Sequence, residues 1–579
     1  MIARFMTRAW GETQAALAQV RRFRPVDLLV LAGLVGLVFA AQRIAREWTG
    51  QLRPTVEIDL SLRALPRYTL YSLARGLVAY AFSLAFTLVY GYWAAKDRLA
   101  ERVLIPLLDI LQSIPVLGFM PGLVLTLVAA FPSTNVGLEL AAVLMIFTGK
   151  VWNMTFSYFH SLRTVPPDLD EAATVYRYSW WERMRWLELP HAALGLVWNS
   201  MMSMAGGWFF LMISEAFVLG NRDFRLPGIG AYMSVAVARG DSAAMARAVV
   251  AMILMILLLD QLLWRPVVAW SQKFRIEESM TGEIASSWFL TWLRRSRLLA
   301  GLGRRLSYAR SASSPRARPS VARVTVARRS APALVSRTVF ALLLAILAFG
   351  AWRLVLLLGR VTPWQWVELI GGSLLTLGRV LAATVLGTLW TVPAGLAIGL
   401  SPRLSRVLQP VTQVAASFPA PMLFPAVIAG LQASGISLGA GSVLLMLLGT
   451  QWYILFNVIA GAMAIPADLK EAAATYRLSL LERFRRLYAP AVFPYLVTGW
   501  VTAAGGAWNA SIVSEYASFH GRTLATSGIG ARISRAAESG DLAHLAAGVL
   551  VMSTLVVLFN RTLWQRLYLL AEQRFSLNR

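Results

Sequence analysis

The chain repeats itself at a fixed offset of 300 residues. Glu171-Ala172-Ala173 recurs as Glu471-Ala472-Ala473, and 471 − 171 = 300. Chance does not hold one register over about a hundred residues, so the sequence predicts two copies of one structural unit. Other positions kept in this register are Pro166 and Pro466, Asp168 and Asp468, Tyr176-Arg177 and Tyr476-Arg477, Glu182-Arg183 and Glu482-Arg483, Pro190 and Pro490, Ser214-Glu215 and Ser514-Glu515, Gly228-Ile229-Gly230 and Gly528-Ile529-Gly530.

Hydrophobicity indicates that both copies lie in a membrane. Of the 579 residues, 57% are hydrophobic, and the mean hydropathy is +0.59. A helix needs about 20 apolar residues to cross a bilayer. We therefore predict an all-α polytopic membrane protein of about 12 transmembrane helices, in two homologous six-helix halves with pseudo-two-fold symmetry. The predicted spans are roughly 27–44, 69–95, 104–131, 136–159, 192–218 and 244–270, then 333–358, 372–400, 407–431, 438–464, 491–516 and 542–570.

The basic residues, which give a net charge of +26, cluster in loops rather than along the apolar stretches. Residues 273–337 carry 14 basic and 3 acidic residues, which places them in the cytoplasm by the positive-inside rule. Counting spans from there places both termini and the loops around Glu171 and Glu471 in the cytoplasm as well. The predicted divisions are a cytoplasmic amphipathic segment 1–26, a first half 27–270 with its polar loop 165–190, a basic linker 271–332, and a second half 333–579 with its polar loop 465–490.

Two segments, the N-terminal stretch and the linker, lie outside the two halves. We expect the N-terminal segment to be an interfacial helix rather than a removed signal peptide, because it lacks a small-residue cleavage site. In the linker, Trp288, Trp292 and the arginines that follow suit either a helix in the headgroup region or an unstructured basic tether. Neither alternative predicts catalysis.

Composition and missing motifs exclude several classes of function. A nucleic-acid-binding protein would need a soluble basic domain, and none is left over once the spans are assigned. The chain has no cysteine, and its four histidines show no metal-ligand spacing. It has no GxxxxGK[ST] phosphate loop, so we expect no ATP hydrolysis, cofactor or catalytic residue in this chain.

The two polar loops have the pattern of short exposed helices. Pro166 and Pro466 suit a helix start, and the acidic residues just after them complement the positive end of a helix dipole. The paired alanines allow another surface to approach closely. We expect Pro190 and Pro490 to break the chain before the next membrane helix. Each loop is then a short helix that lies across the membrane axis and faces the cytoplasm.

The spacing within each loop resembles the permease subunits of ATP-binding-cassette importers. Their hallmark is Glu-Ala-Ala, three residues, Gly, nine residues, Ile, one residue and Leu-Pro, which ends here at Pro190 and at Pro490. Both copies depart from the hallmark at the glycine, where Arg177 and Arg477 stand, so the path of the loop stays open. Ser-Glu followed by Gly-Ile-Gly is similar to the nitrate/sulfonate/bicarbonate/taurine class, and the likeness covers roughly 75–274 and 379–574.

The resemblance implies a transport mechanism and a set of partners. Each loop would dock on a separate cytoplasmic ATPase that binds ATP and Mg, and an extracytoplasmic binding protein would deliver a small solute to the interface of the halves. The chain would then sit among lipids of the bacterial inner membrane with no enzymatic activity of its own. The residues implied in ATPase coupling are Asp168, Glu171, Ala172, Ala173, Tyr176, Arg177, Glu182 and Arg183, with Asp468, Glu471, Ala472, Ala473, Tyr476, Arg477, Glu482 and Arg483.

Polar groups inside the predicted spans are candidates for the solute pathway, because ionisable side chains are costly in a membrane. Arg75, Arg379, Glu215 and Glu515 recur in both halves, and we favour structural ion pairs over solute contact for them. Lys150 matches Thr450 and could either attract an anion or extend to the membrane surface. The other candidates are Asn153, Trp208, Gln451, Trp452, Trp508, Asn509 and Ser511.

The sequence therefore predicts the permease of an ATP-driven importer. The class resemblance favours a small anion such as nitrate, a sulfonate or bicarbonate. A cationic or vitamin solute of the iron or thiamine type is the alternative within the same machinery. A gradient-driven secondary transporter, which also has repeated halves and buried charges, and a membrane scaffold that transports nothing are the alternatives from other classes.

Overall fold

The structure, a computed structural model, describes residues 25–53, 55–219, 222–274, 287–296, 333–519 and 522–575. The predicted N-terminal amphipathic helix and most of the predicted linker lie outside these residues. The described chain consists of helices and two short β-hairpins, and the same order of elements occurs in both halves.

The first half begins with a helix that is exposed along most of its length and continues into a packed bundle. Three of its long helices, α2, α8 and α10, each contain one π-helical turn. Its elements are α1 (Pro25–Trp48), α2 (Leu65–Lys96), α3 (Arg98–Ser113), α4 (Val116–Ala130), α5 (Val136–Thr148), α6 (Val151–Arg163), α7 (Pro167–Val175), α8 (Trp180–Ser214), β1 (Ala216–Leu219), β2 (Arg222–Arg225), α9 (Ile229–Arg239) and α10 (Ser242–Phe274). A short helix of the linker, α11 (Trp288–Arg294), follows.

The second half repeats this order with two changes. Its long helix α13 has no π turn, and α16 is one continuous helix where the first half has α5 and α6. Its elements are α12 (Ala333–Leu358), α13 (Pro363–Leu400), α14 (Pro402–Ser417), α15 (Phe424–Ala433), α16 (Leu438–Met463), α17 (Ala467–Thr475), α18 (Leu480–Ser514), β3 (Tyr516–Phe519), β4 (Arg522–Ala525), α19 (Ile529–Ser539) and α20 (Leu542–Phe575). The hairpins pair in the same register, Ala216 opposite Arg225 and Tyr516 opposite Ala525.

The predicted fold class, an all-α polytopic membrane protein in two homologous halves, is confirmed. Among the described residues, 8 helices are long and apolar enough to cross a membrane, or 10 if each of two bent helix pairs is one span. One large buried cluster of apolar side chains contains residues of both halves, such as Trp208 and Trp508. The halves therefore share a core.

The prediction of single helices over 104–131 and 407–431 is wrong, because the chain turns at Pro115 and at Pro419. Helices α3 and α4 meet at an angle of 98°. The residues before the two prolines, Ile114 and Phe418, have extended backbone with ψ of 123° and 127°. A proline ring disfavours helical backbone in the preceding residue and supplies no N–H, so the helix ends there.

The predicted span 136–159 is also not one helix. It divides into α5 and α6, which are bent by 48° at Gly149 and Lys150. The matching residues of the second half, Gly449 and Thr450, lie inside the continuous helix α16. The bend therefore coincides with the position where the first half alone carries a lysine.

The expectation that Pro190 and Pro490 break the chain is wrong. Helices α8 and α18 run through both prolines, each just after a π turn, Met184–Glu188 in one and Phe484–Tyr488 in the other. A π turn already departs from the i→i+4 hydrogen-bond pattern, so the missing proline N–H interrupts nothing further. These helices end at Ser214 and Ser514, so the last residues of the predicted spans 192–218 and 491–516 belong instead to the hairpins.

The repeated Gly-Asp pair proves to be a junction between two helices. Gly240 and Gly540 have left-handed backbone, with φ of 67° and 74°, and close α9 and α19. The side chains of Asp241 and Asp541 then each accept a hydrogen bond from the backbone N–H of the third residue of the next helix, Ala244 (2.8 Å) and His544 (3.0 Å). Glycine tolerates positive φ and aspartate caps a helix, which explains why both residues recur together.

Candidate functional site

The two loops predicted to face the cytoplasm and to couple to ATPases, 165–190 and 465–490, are called the first and second coupling loops below. In the first, Tyr178 N–H donates to Ala173 O (2.9 Å), and Arg177 N–H donates to Thr174 O (3.0 Å). These two bonds form a Schellman motif, which closes a helix through one left-handed residue. That residue is Arg177, with φ of 52°, and Arg477 matches it with φ of 50°. They are the only non-glycine residues of the described chain with positive φ, so arginine takes here the conformation that glycine would adopt.

A capping box follows each Schellman motif and starts the next helix. The backbone N–H groups of Ser179 and Ser479 donate to Glu182 Oε2 (2.8 Å) and Glu482 Oε2 (2.9 Å), and each serine hydroxyl accepts from the backbone N–H of its glutamate. Such reciprocal bonds satisfy amide groups that a helix start leaves unpaired. The serine and glutamate of the repeat therefore build the loop, and the glutamates are oriented by their own backbone.

The outer surface of each loop combines acidic and aromatic side chains. Glu171 and Glu471 are exposed, and Tyr176 and Tyr476 are 75% and 80% exposed. Ala173 and Ala473, in contrast, are buried beneath the loop. Ala172 is partly buried, and Ala472 is exposed. Asp168 and Asp468 are also exposed near the helix starts. An exposed surface of this kind suits contact with another protein.

On the opposite side of the bundle, Arg75 and Glu215 form a fully buried ion pair. Arg75 Nη1 lies 2.8 Å from Glu215 Oε1 and also donates to Pro227 O (2.9 Å). Glu139 supplies a second carboxylate, which accepts from Arg75 Nε (2.5 Å) and Nη2 (2.7 Å). Buried charges are tolerable when they are paired and hydrogen-bonded, and each nitrogen of the Arg75 guanidinium has an oxygen partner.

The recurring Ser-Glu and Gly-Ile-Gly residues belong to this same unit. Glu215 Oε2 accepts from the backbone N–H of Gly230 (2.7 Å), so the carboxylate lies at the positive end of α9. A Cβ atom at Gly228 would overlap the Glu215 carboxylate, so the close approach requires glycine. In the second half Glu515 accepts from Gly530 N–H (2.9 Å) and pairs with Arg379 Nη1 (2.7 Å).

Glu139 is a buried charge that the sequence analysis missed. Its second-half counterpart is Gly439, and Arg379 there donates instead to Thr526 Oγ1 (3.2 Å). A single acidic residue inside the apolar run 136–147 was the available signal. The absence of a repeat partner hid it, because the repeat directed attention to matched positions.

Lys150 is buried at the bend between α5 and α6. Its ammonium donates to Gly76 O (2.9 Å), contacts Met204 Sδ (3.0 Å) and lies 5.5 Å from the Trp208 ring centroid. No carboxylate of the described chain lies within ion-pair distance of it. Lys150 is 1% exposed, so its side chain does not extend to the membrane surface.

A cavity of about 180 Å³ lies between the two halves. Of the predicted pathway residues, Asn153, Trp452 and Asn509 line it, and the Asn509 side chain accepts from Val116 N–H at the start of α4 (2.8 Å). None of the lining side chains is charged. The lining residues that the sequence analysis missed include Gln112, Thr148, Gln413, Thr450 and Tyr453.

The remaining predicted pathway residues lie away from this cavity. Trp208 and Trp508 are buried in the shared core, and Ser511 Oγ donates to the backbone oxygen of Trp508 (2.7 Å). Gln451 accepts from Trp390 Nε1 (3.1 Å) outside the cavity lining. The structure thus divides the candidates into a small group at the cavity and a larger group in packing or ion pairs, the latter including Arg75, Glu215, Arg379 and Glu515.

Each half contains a helix pair that is broken at a proline, the two halves enclose a shared cavity, and matched loops lie at one end. This arrangement is typical of a transport permease. The chain belongs to the family of binding-protein-dependent transport system inner membrane components, whose sequence pattern matches residues 87–263 and 387–576. The match occurs once in each half. The protein is therefore a permease with two family units in one chain, rather than a catalytic subunit.

Each curated relative matches a stretch of about a quarter of this chain. The chain is 27% identical over 140 residues to the nitrate import permease protein NrtB of Leptolyngbya laminosa, which covers 24% of this chain and 49% of that protein. It is 28% identical over 143 residues to the bicarbonate transport system permease protein CmpB of a Synechocystis species, which covers 25% of this chain and 50% of that protein. The chain spans about half the length of the curated relatives it matches.

Proposed function

We propose that this permease forms the transmembrane part of an ATP-driven importer and recruits two cytoplasmic ATPase subunits, which bind ATP and Mg, through its two coupling loops. The observation that carries the proposal is the pair of matched loops, each built by a Schellman motif and a capping box and each with an exposed glutamate, Glu171 or Glu471. A gradient-driven carrier has no need of two such surfaces. In this proposal the loops and both termini face the cytoplasm of a bacterial inner membrane, and an extracytoplasmic binding protein delivers the solute.

The test is purification of the tagged chain from its native membranes, with mass spectrometry of the proteins that accompany it. We expect an ATPase to co-purify and to be lost when Glu171 and Glu471 are both changed to Lys. Arg403→Ala, at an exposed residue in the first turn of α14, is the control and should leave the ATPase bound. A chain that carries no ATPase and moves a solute in liposomes without ATP would refute the proposal and favour the gradient-driven carrier.

We further propose that the solute is a small anion. The cavity is lined by amides, hydroxyls and aromatic rings, and no carboxylate among the lining residues would neutralise the charge of a cation. The start of α4 lies at the cavity, where Val116 contributes to the lining, and a helix start favours negative charge.

The relatives support the same class of solute, since their names specify nitrate and bicarbonate. Uptake of labelled nitrate, bicarbonate and thiamine into proteoliposomes that hold the complete complex would test it. We expect one of the anions to be taken up. Uptake of thiamine alone would contradict the proposal and favour the cationic alternative.

A further inference from the structure

The side chain of Glu188 lies at the centre of a row of ion pairs between the first coupling loop and the bundle, called the relay below. It is 1% exposed and sits in the π turn of α8. Lys96, the last residue of α2, places its Nζ 2.6 Å from Glu188 Oε1, and Arg183 Nε lies 3.6 Å from the same oxygen. Arg183 also forms an ion pair with Asp170 of α7. Alternating charges therefore connect α7 with the cytoplasmic end of α2.

A polar contact between aromatic residues crosses the same boundary. Trp180 Nε1, at the start of α8, donates to Tyr92 Oη in α2 over 2.6 Å. The two rings meet edge to face with centroids 5.8 Å apart. Tyr92 lies one turn before Lys96, and so the first coupling loop is bound to α2 at two neighbouring points.

The second coupling loop has neither connection, although it has the same backbone. Arg483 is kept, but its Nε donates to Leu478 O within its own loop (2.8 Å). Within the described residues, no ion pair joins this loop to α13. The other counterparts are Lys470 for Asp170, Tyr488 for Glu188, Leu400 for Lys96, Leu480 for Trp180 and Leu396 for Tyr92.

Apolar packing replaces the relay in the second half. Tyr488 and Leu400 pack against the buried cluster that contains Leu396. Apolar contact has no preferred direction and lets surfaces slide, whereas a buried carboxylate is costly to separate from its cations. The two loops therefore differ in how firmly they are held to the long helix beside them.

We propose that Glu188 is a positioning residue that makes the first coupling loop move as one body with α2, while the second coupling loop moves more freely against α13. The two ATPase attachments would then transmit unequal displacements to the solute cavity. The difference between the two loops does not depend on any partner protein, whereas its consequence for transport rests on the proposed function.

The chain has no cysteine, so pairs of spin labels can be placed without removing any native residue. One pair, Leu99→Cys with Tyr176→Cys, reports the distance between the first coupling loop and the bundle. The second pair, Arg403→Cys with Tyr476→Cys, reports the same distance for the second loop. All four positions are exposed. Pulsed electron paramagnetic resonance on the purified full chain gives both distance distributions without any ATPase.

We expect the first distribution to be the narrower, and Glu188→Gln to widen it to at least the width of the second. Lys96→Gln, at a side chain that is about a third exposed, should widen it as well and serves if Glu188→Gln fails to fold. Tyr488→Phe and Lys96→Arg should leave both distributions unchanged. Equal widths in the unmodified chain, or no widening with either variant, would overturn the proposal.

In the assembled complex, the readout is the number of solute molecules moved per ATP hydrolysed. We expect Glu188→Gln to lower this ratio about fivefold while the ATPase remains bound, and Lys96→Arg to keep it. A general loss of structure would lower hydrolysis and transport together and leave the ratio unchanged, which would count against a positioning role. If the unmodified chain binds no ATPase, the proposed function fails, while the spin-label result still decides the asymmetry of the loops.

Discussion

The left-handed arginines of the coupling loops give the most direct test of how these loops are built. An L-residue in left-handed helical backbone costs about 1–2 kcal/mol, which glycine avoids. Glycine loses more freedom on folding, which offsets about 0.5–1 kcal/mol of that gain. At Arg177, with φ of 52°, a glycine should therefore stabilise the closed loop by about 0.7 kcal/mol relative to alanine, close to threefold in the local opening constant.

The comparison of Arg177→Gly with Arg177→Ala isolates the backbone, because both variants lose the arginine side chain. The assay is hydrogen exchange of the Tyr178 amide, which donates to Ala173 O and is released when the loop opens. We expect about threefold slower exchange in the glycine variant than in the alanine variant. Arg177→Val should exchange faster than both, since a β-branched residue is disfavoured at positive φ.

The second coupling loop provides an internal repeat of this experiment. Arg477, with φ of 50°, and the Leu478 amide, which donates to Ala473 O (3.1 Å), should behave in the same way. Faster exchange in the glycine variants than in the alanine variants of both loops would refute the reasoning, because it would mean that the loop does not close through a left-handed residue.

Three further predictions concern the ion pairs, the glycines and the outer loop. Arg379→Met leaves Glu515 buried without its cation and should cost about 3–5 kcal/mol, seen as a lower melting temperature in detergent. Arg532→Met, whose pair with Glu368 is about a third exposed, should lower the melting temperature much less, and equal melting temperatures would contradict this. Gly230→Ala puts a Cβ atom 2.6 Å from Met212 O and should reduce the yield of folded protein, while Gly122→Ala, with nothing within 4 Å, should not. Hydrogen bonds from the Ser61 N–H and, to a lesser extent, from the Ser61 hydroxyl hold the pKa of Asp59 below its ordinary value of 3.8. The ionised carboxylate therefore stabilises this turn at pH values above 3.8, and the turn loosens as the pH falls through the lowered pKa. Exchange of the Ser61 amide against pH, corrected for intrinsic rates, should show this dependence in the native chain and not in Asp59→Asn.

Local pattern was sufficient for the features that depend on neighbouring residues. The loop helices begin directly after Pro166 and Pro466 and end where the motif has its bend, because helix starts and ends are set by a few adjacent residues. The same local rules were applied wrongly at Pro190, where we expected a break. The π turn that accommodates this proline depends on packing around α8, which sequence periodicity does not report.

The sequence by itself determined the duplication, the membrane character and the family, because hydrophobicity and a fixed register can be read without knowing any contact. Only the tertiary structure decided that Glu139 pairs with Arg75, that Asn153 and Asn509 meet at one cavity, and that Glu188 joins the first coupling loop to α2. Each of these contacts joins residues on different helices, and their packing depends on the whole chain at once. The repeat even obscured two of them, because Glu139 and Glu188 have no acidic partner in the second half.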